Sequence, residues 1–220
     1  MSHINKFVTI DIPKTGTRSM RETLKPLGLI DIHGGPQSAS VGFWQHSTAL
    51  EAKTYFVKQG WDWNSYFKYV VVRNPWDRYL SFINYFKFCA DNYTKSKEGL
   101  TPEEINQGKA SVSFFCGDKN PKEIMLNLIQ RTGGIWMSQD QYFKDEKGEL
   151  IVDYIANFDN INDEFKLFCK KNHIDKSITL KHGNKSRSFF KKEDVFCDQS
   201  IDLIKKRESF IIDLMKYNYK

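Results

Sequence analysis

The feature that most constrains the fold is an uninterrupted apolar run that ends directly at a helix start. Residues 69–72 (YVVV) are continuous β-favouring side chains, a pattern typical of a strand that is buried on both faces. Asn74-Pro75 follows almost at once and predicts a helix, because Asn caps helix N-termini and Pro suits the first helical position. A strand with two buried faces predicts a sheet that is covered by helices on both sides.

Similar segments on either side extend this alternation of strands and helices. Residues 7–12 (FVTIDI) and 29–32 (LIDI) are short apolar runs that predict strands, and helices are predicted from Met20 onward and over 48–58. Strands that alternate with helices form parallel sheets, so the predicted class is α/β, with a central parallel sheet flanked by helices. A chain of 220 residues suits a single domain, which we expect to span 1–220.

The second half carries weaker signals. Helices are predicted at 121–129, 158–168 and 201–214, a hairpin at 141–153 and a late strand at 178–180. Residues 91–120 are polar, with a capping box at 101–104 (TPEE) that predicts one short helix. Long loops in compact domains are often functional. We therefore interpret 91–120 as a variable insertion that contributes to a binding site.

The charge balance indicates an anionic partner. With 33 Lys and Arg against 27 Asp and Glu, the formal net charge is +6, which suits nucleic acid, an anionic membrane, an acidic polymer or an anionic small molecule. No run approaches the ~18 apolar residues that cross a bilayer, and the first residues lack the apolar core of a signal peptide. We therefore expect a cytoplasmic protein.

The first candidate site is the turn at 12–19 (IPKTGTRS), between a predicted buried strand and a helix. The first N–H groups of a helix lack intrahelical partners and the helix dipole is positive there, so an anion is held at this end. Gly16 allows close backbone approach and Lys14 adds a positive charge. The turn is not a Walker A loop, in which the lysine follows a second glycine. The alternative is a plain strand–helix turn with a solvated lysine.

The second candidate site begins at Arg73, the residue after the valine-rich strand. In open α/β sheets, ligands bind outside the carboxyl ends of the strands. Ser81 lies about two turns into the following helix, so a guanidinium and a hydroxyl could hold a second phosphate. The alternative is that Arg73 pairs with a carboxylate such as Asp77. Two anion-binding turns on one sheet edge suit a ligand with two separated phosphates.

The two segments together resemble a known family. Residues 13–17 (PKTGT), followed by 73–85 (RNPWDRYLSFINY), look like the paired motifs of the sulfotransferases, closest to the carbohydrate and heparan-type branch. Weaker similarity extends over nearly the whole chain, at 46–49, 139–142, 152–155, 184–186 and 212–217. The first motif resembles the family's loop for the 5′-phosphosulfate of 3′-phosphoadenosine 5′-phosphosulfate (PAPS), and the second resembles the 3′-phosphate site.

The resemblance implies a P-loop-like nucleotide-binding fold and transfer of a sulfuryl group from PAPS to an acceptor hydroxyl or amine, with PAP as product. The acceptor would be a carbohydrate or a small alcohol, and 91–120 would contribute to its site. Lys14 would stabilise the leaving phosphate. The residues that would bind the nucleotide are Lys14, Thr15, Gly16, Thr17, Arg18, Ser19, Arg73, Ser81 and Lys185. The chain looks like a soluble bacterial or viral relative of the family.

A hydroxyl nucleophile needs a general base, and histidine is suited to that role near neutral pH. His46 lies before the Arg73 strand and matches the family pattern, so we assign it as the base. His33 is the alternative, because it ends the second predicted strand on the same edge. No cluster of His, Cys and Asp has the spacing of metal ligands, so no metal is expected.

Two other functions stay open. An ATP-dependent, kinase-like P-loop enzyme would carry a Walker lysine after a second glycine and a magnesium-binding Asp after a strand, and the sequence contains neither. A non-catalytic module that binds anions or glycans would gather Lys and Arg on one element with interleaved aromatic residues. Here the basic residues are mostly scattered, so no nucleic-acid partner is expected.

Overall fold

The apolar run at 69–72 lies in the middle strand of a parallel sheet in a computed structural model of the chain, which describes residues 1–29, 45–115, 120–175, 177–181 and 188–219. The strands are in the spatial order β1-β2-β3, where β1 is Phe7–Ile10, β2 is Phe67–Val72 and β3 is Tyr154–Asn157. Both pairings are parallel. The prediction of an α/β fold built on a parallel sheet is confirmed.

Helices connect these strands and cover them. In the described ranges they are α1 (Thr17–Leu24), α2 (Ala49–Lys58), α3 (Pro75–Lys95), α4 (Pro102–Phe115), α5 (Pro121–Ile129), α6 (Ile161–Lys171), α7 (Lys192–Val195), α8 (Asp198–Arg207) and α9 (Ser209–Met215). The predicted start of α3 is confirmed, since Asn74 accepts a hydrogen bond from the main-chain N–H of Trp76. Among these helices, none combines the length and the apolarity that a membrane crossing requires.

Successive side chains of a strand point to opposite faces of the sheet, so both faces carry core side chains. On one face, Phe7 and Val71 pack in a cluster with α1 and α6 that includes Phe168. On the other face, Val8 packs in a cluster with α2 and α9 that includes Phe56. A third apolar cluster joins α3, α5 and α8. The sheet is therefore fixed from both sides, which gives the loops at its ends a rigid support.

Residues 91–120 are helical over most of their described length, so the prediction of a long loop with one short helix is wrong. α3 continues to Lys95, and α4 occupies Pro102–Phe115. The two helices pair closely because Gly108 has no side chain, and a Cβ there would lie 2.5 Å from the Cβ of Tyr93. The capping box is present at the start of α4 as predicted.

One predicted strand is not found, and a second falls almost entirely outside the described residues. Residues 178–180 form no strand, and the next main-chain N–H, of Lys181, donates to Oγ1 of Thr23 on α1 rather than to a neighbouring strand. The strand predicted at 29–32 lies outside the described residues apart from Leu29, which is in no strand.

Two further predictions are only partly right. The hairpin over 141–153 is reduced to a single antiparallel bridge between Lys144 and Leu150. The closing helix over 201–214 is divided into α8 and α9 at Glu208. The side chain of Glu208 is fully buried and pairs with Arg78.

Candidate anion-binding active site

Three loops meet at the carboxyl edge of the sheet, because the three strands in the described part of the chain run in the same direction. β1 is followed by residues 11–16 and α1, β2 by residues 73–74 and α3, and β3 by a 3₁₀ turn at Phe158–Asn160 and α6. Ligands of open α/β sheets bind at this edge. The two predicted anion-binding turns therefore lie on one edge of the sheet.

The loop after β1 is shaped by two residues with left-handed backbone. Lys14 has φ 70° and Gly16 has φ 79°. The hydroxyl of the fully buried Thr15 donates to the main-chain oxygen of Ile12 at 2.9 Å, which closes the turn. In the described part of the chain, no side chain caps the N-terminus of α1 at Thr17. The first N–H groups of α1 can therefore donate to an anion in this loop.

The ring of Phe158 covers the loop. A Cβ at residue 16 would lie 2.5 Å from Cε2 of Phe158, so only glycine fits there. The same ring faces the guanidinium of Arg73, whose Cζ is 4.5 Å from the ring centroid. A cation over an aromatic face is attracted by the ring quadrupole. Phe158 thus contacts both of the turns that are predicted to bind anions.

Lys14 and Arg73 contact each other directly. Nη1 of Arg73 donates to the main-chain oxygen of Lys14 at 3.2 Å, and Nζ of Lys14 lies 4.1 Å from the ring centroid of Tyr85 on α3. Among the described residues, no carboxylate forms an ion pair with either cation. Asp77, the alternative partner of Arg73, pairs instead with Lys192 at 2.9 Å. The interpretation of Arg73 as the partner of Asp77 is therefore wrong.

Burial makes both positive charges costly. Burial, followed by the charge of Arg73, lowers the pKa of Lys14 from 10.5 to about 8. Burial also lowers the pKa of Arg73, although Asp77 and Asp159 act in the opposite direction. A desolvated cation without a carboxylate partner is stabilised when an anion binds beside it. The electrostatics of this edge therefore favour an anionic ligand.

The remaining predicted residues of the loop differ in how far they are exposed to solvent. The side chain of Arg18 is 67% exposed, and its Nε lies 2.5 Å from a carboxylate oxygen of Glu22 on the outer surface of α1. Thr17 is buried, and the N–H of Ser19 already bonds to the main-chain oxygen of Gly16 at 3.0 Å. Arg18 is thus the one predicted residue of this loop that lies mostly in solvent.

α3 meets the loop with its buried face. Ser81 is buried, and Tyr85 lies one turn later with its ring against the ammonium group of Lys14. Residues four apart share one face of a helix, so Ser81 lies on the face that meets Lys14. Trp76 is buried in the cluster of α3, α5 and α8, so its ring is not exposed to stack on the adenine of a nucleotide.

His46 is attached to the same loop. Its Nδ1 lies 2.8 Å from the main-chain oxygen of Asp11, the first residue after β1. A carbonyl oxygen only accepts, so Nδ1 carries the hydrogen and Nε2 is the basic nitrogen of the neutral ring. Burial lowers the pKa of His46, which keeps the ring neutral at pH 7. The predictions for His33 and Lys185 fall outside the described residues.

A buried network behind the site was not predicted. Arg78 is fully buried, donates from Nε to the main-chain oxygen of Pro13 at 3.1 Å, and pairs with Glu208 at 3.1 Å. Gln139 bonds to both main-chain groups of Arg73, each at 2.9 Å. Arg78 and Gln139 lie in segments that resemble the family, whereas nothing in the sequence marks Glu208. Within the described ranges, no group of three or more His, Cys, Asp and Glu side chains could hold a metal ion.

The comparisons with known proteins give a structural likeness but no family. No protein-family model matches the chain, and no curated protein matches it either. A solved structure described as a sulfotransferase from Alicyclobacillus acidocaldarius is similar over 97% of this chain and 96% of that chain, with 10% sequence identity and a TM-score of 0.39. We therefore infer the function from the residues of the site.

Proposed function

We propose that this chain is a sulfotransferase that uses PAPS as sulfuryl donor, releases PAP, and has a carbohydrate hydroxyl as its acceptor. The observation that carries the proposal is the contact between two half-buried cations, Lys14 and Arg73, which have no carboxylate partner among the described residues. PAPS carries anionic groups at both its 5′ and 3′ positions. A ligand of that kind would compensate both charges at once, one at the turn after β1 and one after β2.

The loop after β1 suits the 5′-phosphosulfate. Lys14, with a pKa of about 8, is mostly protonated at neutral pH and can donate to the oxygen that links phosphate and sulfate. The uncapped start of α1 adds main-chain donors, and Gly16 leaves room for a close approach. Thr15 would contribute its main-chain N–H, because its hydroxyl hydrogen is used on Ile12.

The second turn suits the 3′-phosphate. Among its described hydrogen bonds, the Arg73 guanidinium uses only one, from Nη1 to the main-chain oxygen of Lys14. Its remaining N–H donors can form the forked pair of hydrogen bonds that arginine makes with phosphate. Ser81, on the face of α3 toward Lys14, would add a hydroxyl donor.

In the proposed reaction, the residues position the groups and stabilise charge. His46 accepts the hydroxyl proton at Nε2 while the acceptor oxygen bonds to sulfur. The bond between sulfur and the 5′-phosphate oxygen breaks, and Lys14 stabilises the negative charge left on that oxygen. PAP and a sulfated acceptor are the products, so atoms and charges balance without a further reactant.

The proposal is tested by thermal unfolding with three ligands: PAP, ATP with magnesium, and a short oligonucleotide. A ligand at about 100 times its Kd stabilises the fold by about 2.7 kcal/mol, or about 5–10 °C for a chain of this size. We expect that shift with PAP and not with the oligonucleotide. The shift should be much smaller but still measurable in Lys14→Ala and Arg73→Ala, and retained in Lys53→Ala, a matched loss of charge at an exposed position of α2.

Each alternative has its own outcome. A shift with ATP and magnesium but not with PAP would favour the kinase-like enzyme. Stabilisation by PAP without turnover on any acceptor would favour a non-catalytic binding module. If no shift occurs with PAP, the proposal is wrong.

The acceptor is tested by incubation with labelled PAPS and a panel of mono- and oligosaccharides, simple alcohols and amines. We expect transfer to a sugar hydroxyl, with no transfer by Lys14→Ala. Transfer to simple alcohols or amines alone would contradict the carbohydrate assignment while leaving the sulfotransferase assignment intact.

A further inference from the structure

The geometry points to Gln139 as a positioning residue for Arg73, with the buried pair Arg78–Glu208 holding Gln139 and the Lys14 loop in one network. This inference rests on the proposed function for the identity of the anion. None of these three side chains needs to touch the ligand. Their role would be to fix the separation and direction of the two cations that do.

The first step is the contact between Gln139 and Arg73. The last residue of β2, Val72, is paired with Asn157 of β3, so Arg73 is the first residue beyond the paired part of β2. There the N–H of Arg73 donates to Oε1 of Gln139 at 2.9 Å, and Nε2 of Gln139 donates to the main-chain oxygen of Arg73 at 2.9 Å. A carboxamide bonded to both groups of one residue restricts the backbone rotation that aims its side chain.

The second step is the orientation of the Gln139 amide. Oε2 of the fully buried Glu208 accepts from the main-chain N–H of Gln139 at 3.1 Å and from its Nε2 at 3.4 Å. A carboxylate can only accept, so it selects the rotamer with the NH₂ group on its side. That rotamer leaves Oε1 on the side of the Arg73 N–H. Glu208 thus sets the direction of the amide.

The third step links this contact to the Lys14 loop. Nη1 of Arg78 donates to Oε1 of Glu208 at 3.1 Å, and Nε of Arg78 donates to the main-chain oxygen of Pro13 at 3.1 Å. Pro13 directly precedes Lys14. The other donors of Arg78 are used on the main-chain oxygens of Ile135 and Met137, each at 3.3 Å. One buried network therefore reaches the backbone of both turns, and a fully hydrogen-bonded network of this kind is rigid.

The test is a mutant cycle on PAP affinity. Gln139→Met keeps the approximate volume of the side chain and removes both bonds to Arg73. We expect PAP to bind about 10-fold more weakly. The KM for PAPS should rise by a similar factor, with the KM for the acceptor unchanged. Because Arg73→Ala already removes the group being aimed, adding Gln139→Met to it should cause no further loss of affinity.

A matched control separates positioning from stability. Tyr142 is buried three residues away and donates through its hydroxyl to the main-chain oxygen of Gly134 at 2.9 Å. Tyr142→Phe removes that hydrogen bond without touching Arg73. It should lower the unfolding temperature and leave PAP affinity unchanged. If Gln139→Met does not fold, as judged by circular dichroism, Gln139→Asn retains the amide and is measured in its place, with a smaller loss expected.

The outcomes separate this inference from the proposed function. Suppose that the wild type binds PAP. If the losses of affinity from Gln139→Met and Arg73→Ala are additive, or if Gln139→Met leaves the affinity unchanged, the positioning role is wrong. The proposed function stands in both cases. If the wild type does not bind PAP, the proposed function is wrong, and the same cycle is measured with pyrophosphate. Non-additive losses with pyrophosphate would support the positioning role alone. Additive losses, or no binding of pyrophosphate, would overturn it.

Discussion

The ring of Phe158 lies 2.5 Å from the position that a Cβ on Gly16 would occupy. Phe158 follows β3 and Gly16 lies in the loop after β1, and these two strands are not neighbours in the sheet. The contact therefore passes across the end of β2, where the guanidinium of Arg73 faces the same ring. One aromatic side chain thus contacts the loops that follow β1, β2 and β3, and it requires a glycine at residue 16.

Gly16→Ala is expected to destabilise the protein and abolish PAP binding. The methyl group would collide with Phe158, and alanine is strained at φ 79°. Overpacking and left-handed strain together cost about 2–4 kcal/mol. Thermal unfolding and PAP titration measure the two effects.

Gly28→Ala is the matched control, because residue 28 has φ 67° but no atom within 4 Å of its added Cβ. It should show the strain of about 1 kcal/mol without the collision. When Phe158→Ala is already present, adding Gly16→Ala should cost only the strain of about 1 kcal/mol, because the ring that collides is absent. Equal losses in Gly16→Ala and Gly28→Ala would contradict the role of Phe158.

PAP affinity is expected to fall as the pH rises through about 8. The pKa of Lys14 is lowered to about 8 by burial and by Arg73, so the free protein loses this charge in that range rather than near 10.5. An anion beside Lys14 favours the protonated form, so binding above pH 8 should be accompanied by proton uptake. Isothermal titration calorimetry in buffers of different ionisation enthalpy measures both quantities.

Lys14→Arg provides the comparison, since arginine stays charged throughout this range. Its PAP affinity should be nearly constant between pH 7 and 9 and need not equal that of the wild type. A wild-type affinity that is also constant across this range would show that Lys14 does not contribute a titrating charge to binding.

His46→Ala is expected to reduce turnover by about 10²- to 10⁴-fold, the usual contribution of a general base, with PAP affinity retained. Burial lowers the pKa of His46 below 6.5, so the decline in rate that is caused by protonation of His46 should fall on the acid side of that value. His173→Asn, at an exposed position, should keep full turnover. Full turnover by His46→Ala with normal PAP binding would remove His46 from the mechanism.

The parts of the site that could be predicted are those with local causes. The apolar run ending at Val72 implies a buried strand, and Asn74-Pro75 fixes the start of α3 immediately after it. The turn around Gly16 can be predicted because glycine and polar residues directly follow a strand. These features depend on residues that are close in sequence, so single-sequence patterns contain them.

The parts that could not be predicted depend on distant partners. Phe158 lies in an apolar stripe that indicates core packing, and its contact with Gly16 spans most of the chain. Glu208 lies in an amphipathic helix pattern, yet its carboxylate is buried because it pairs with Arg78, 130 positions earlier. The close pairing of α3 with α4 could not be predicted, because the fit of Gly108 against Tyr93 leaves no pattern in the sequence.

Glu208→Gln is expected to be strongly destabilising. The carboxylate is fully buried and pairs with Arg78, whose side chain is 1% exposed. Removing the negative charge leaves the guanidinium buried without its counter-ion, which costs about 3–5 kcal/mol. At about 2–4 °C per kcal/mol for a chain of this size, the unfolding temperature should fall by about 6–20 °C.

The two matched comparisons are an exposed ion pair and a variant without either charge. The side chains of Asp163 and Lys166 form an ion pair and are 81% and 67% exposed, respectively. Asp163→Asn breaks this pair and should leave the unfolding temperature unchanged. Arg78→Met/Glu208→Leu removes both buried charges and should recover part of the stability that Glu208→Gln loses. It would also release the Pro13 and Gln139 contacts, so PAP affinity should stay low while stability returns. A double variant that regains both stability and PAP affinity would show that the ion pair serves the fold alone.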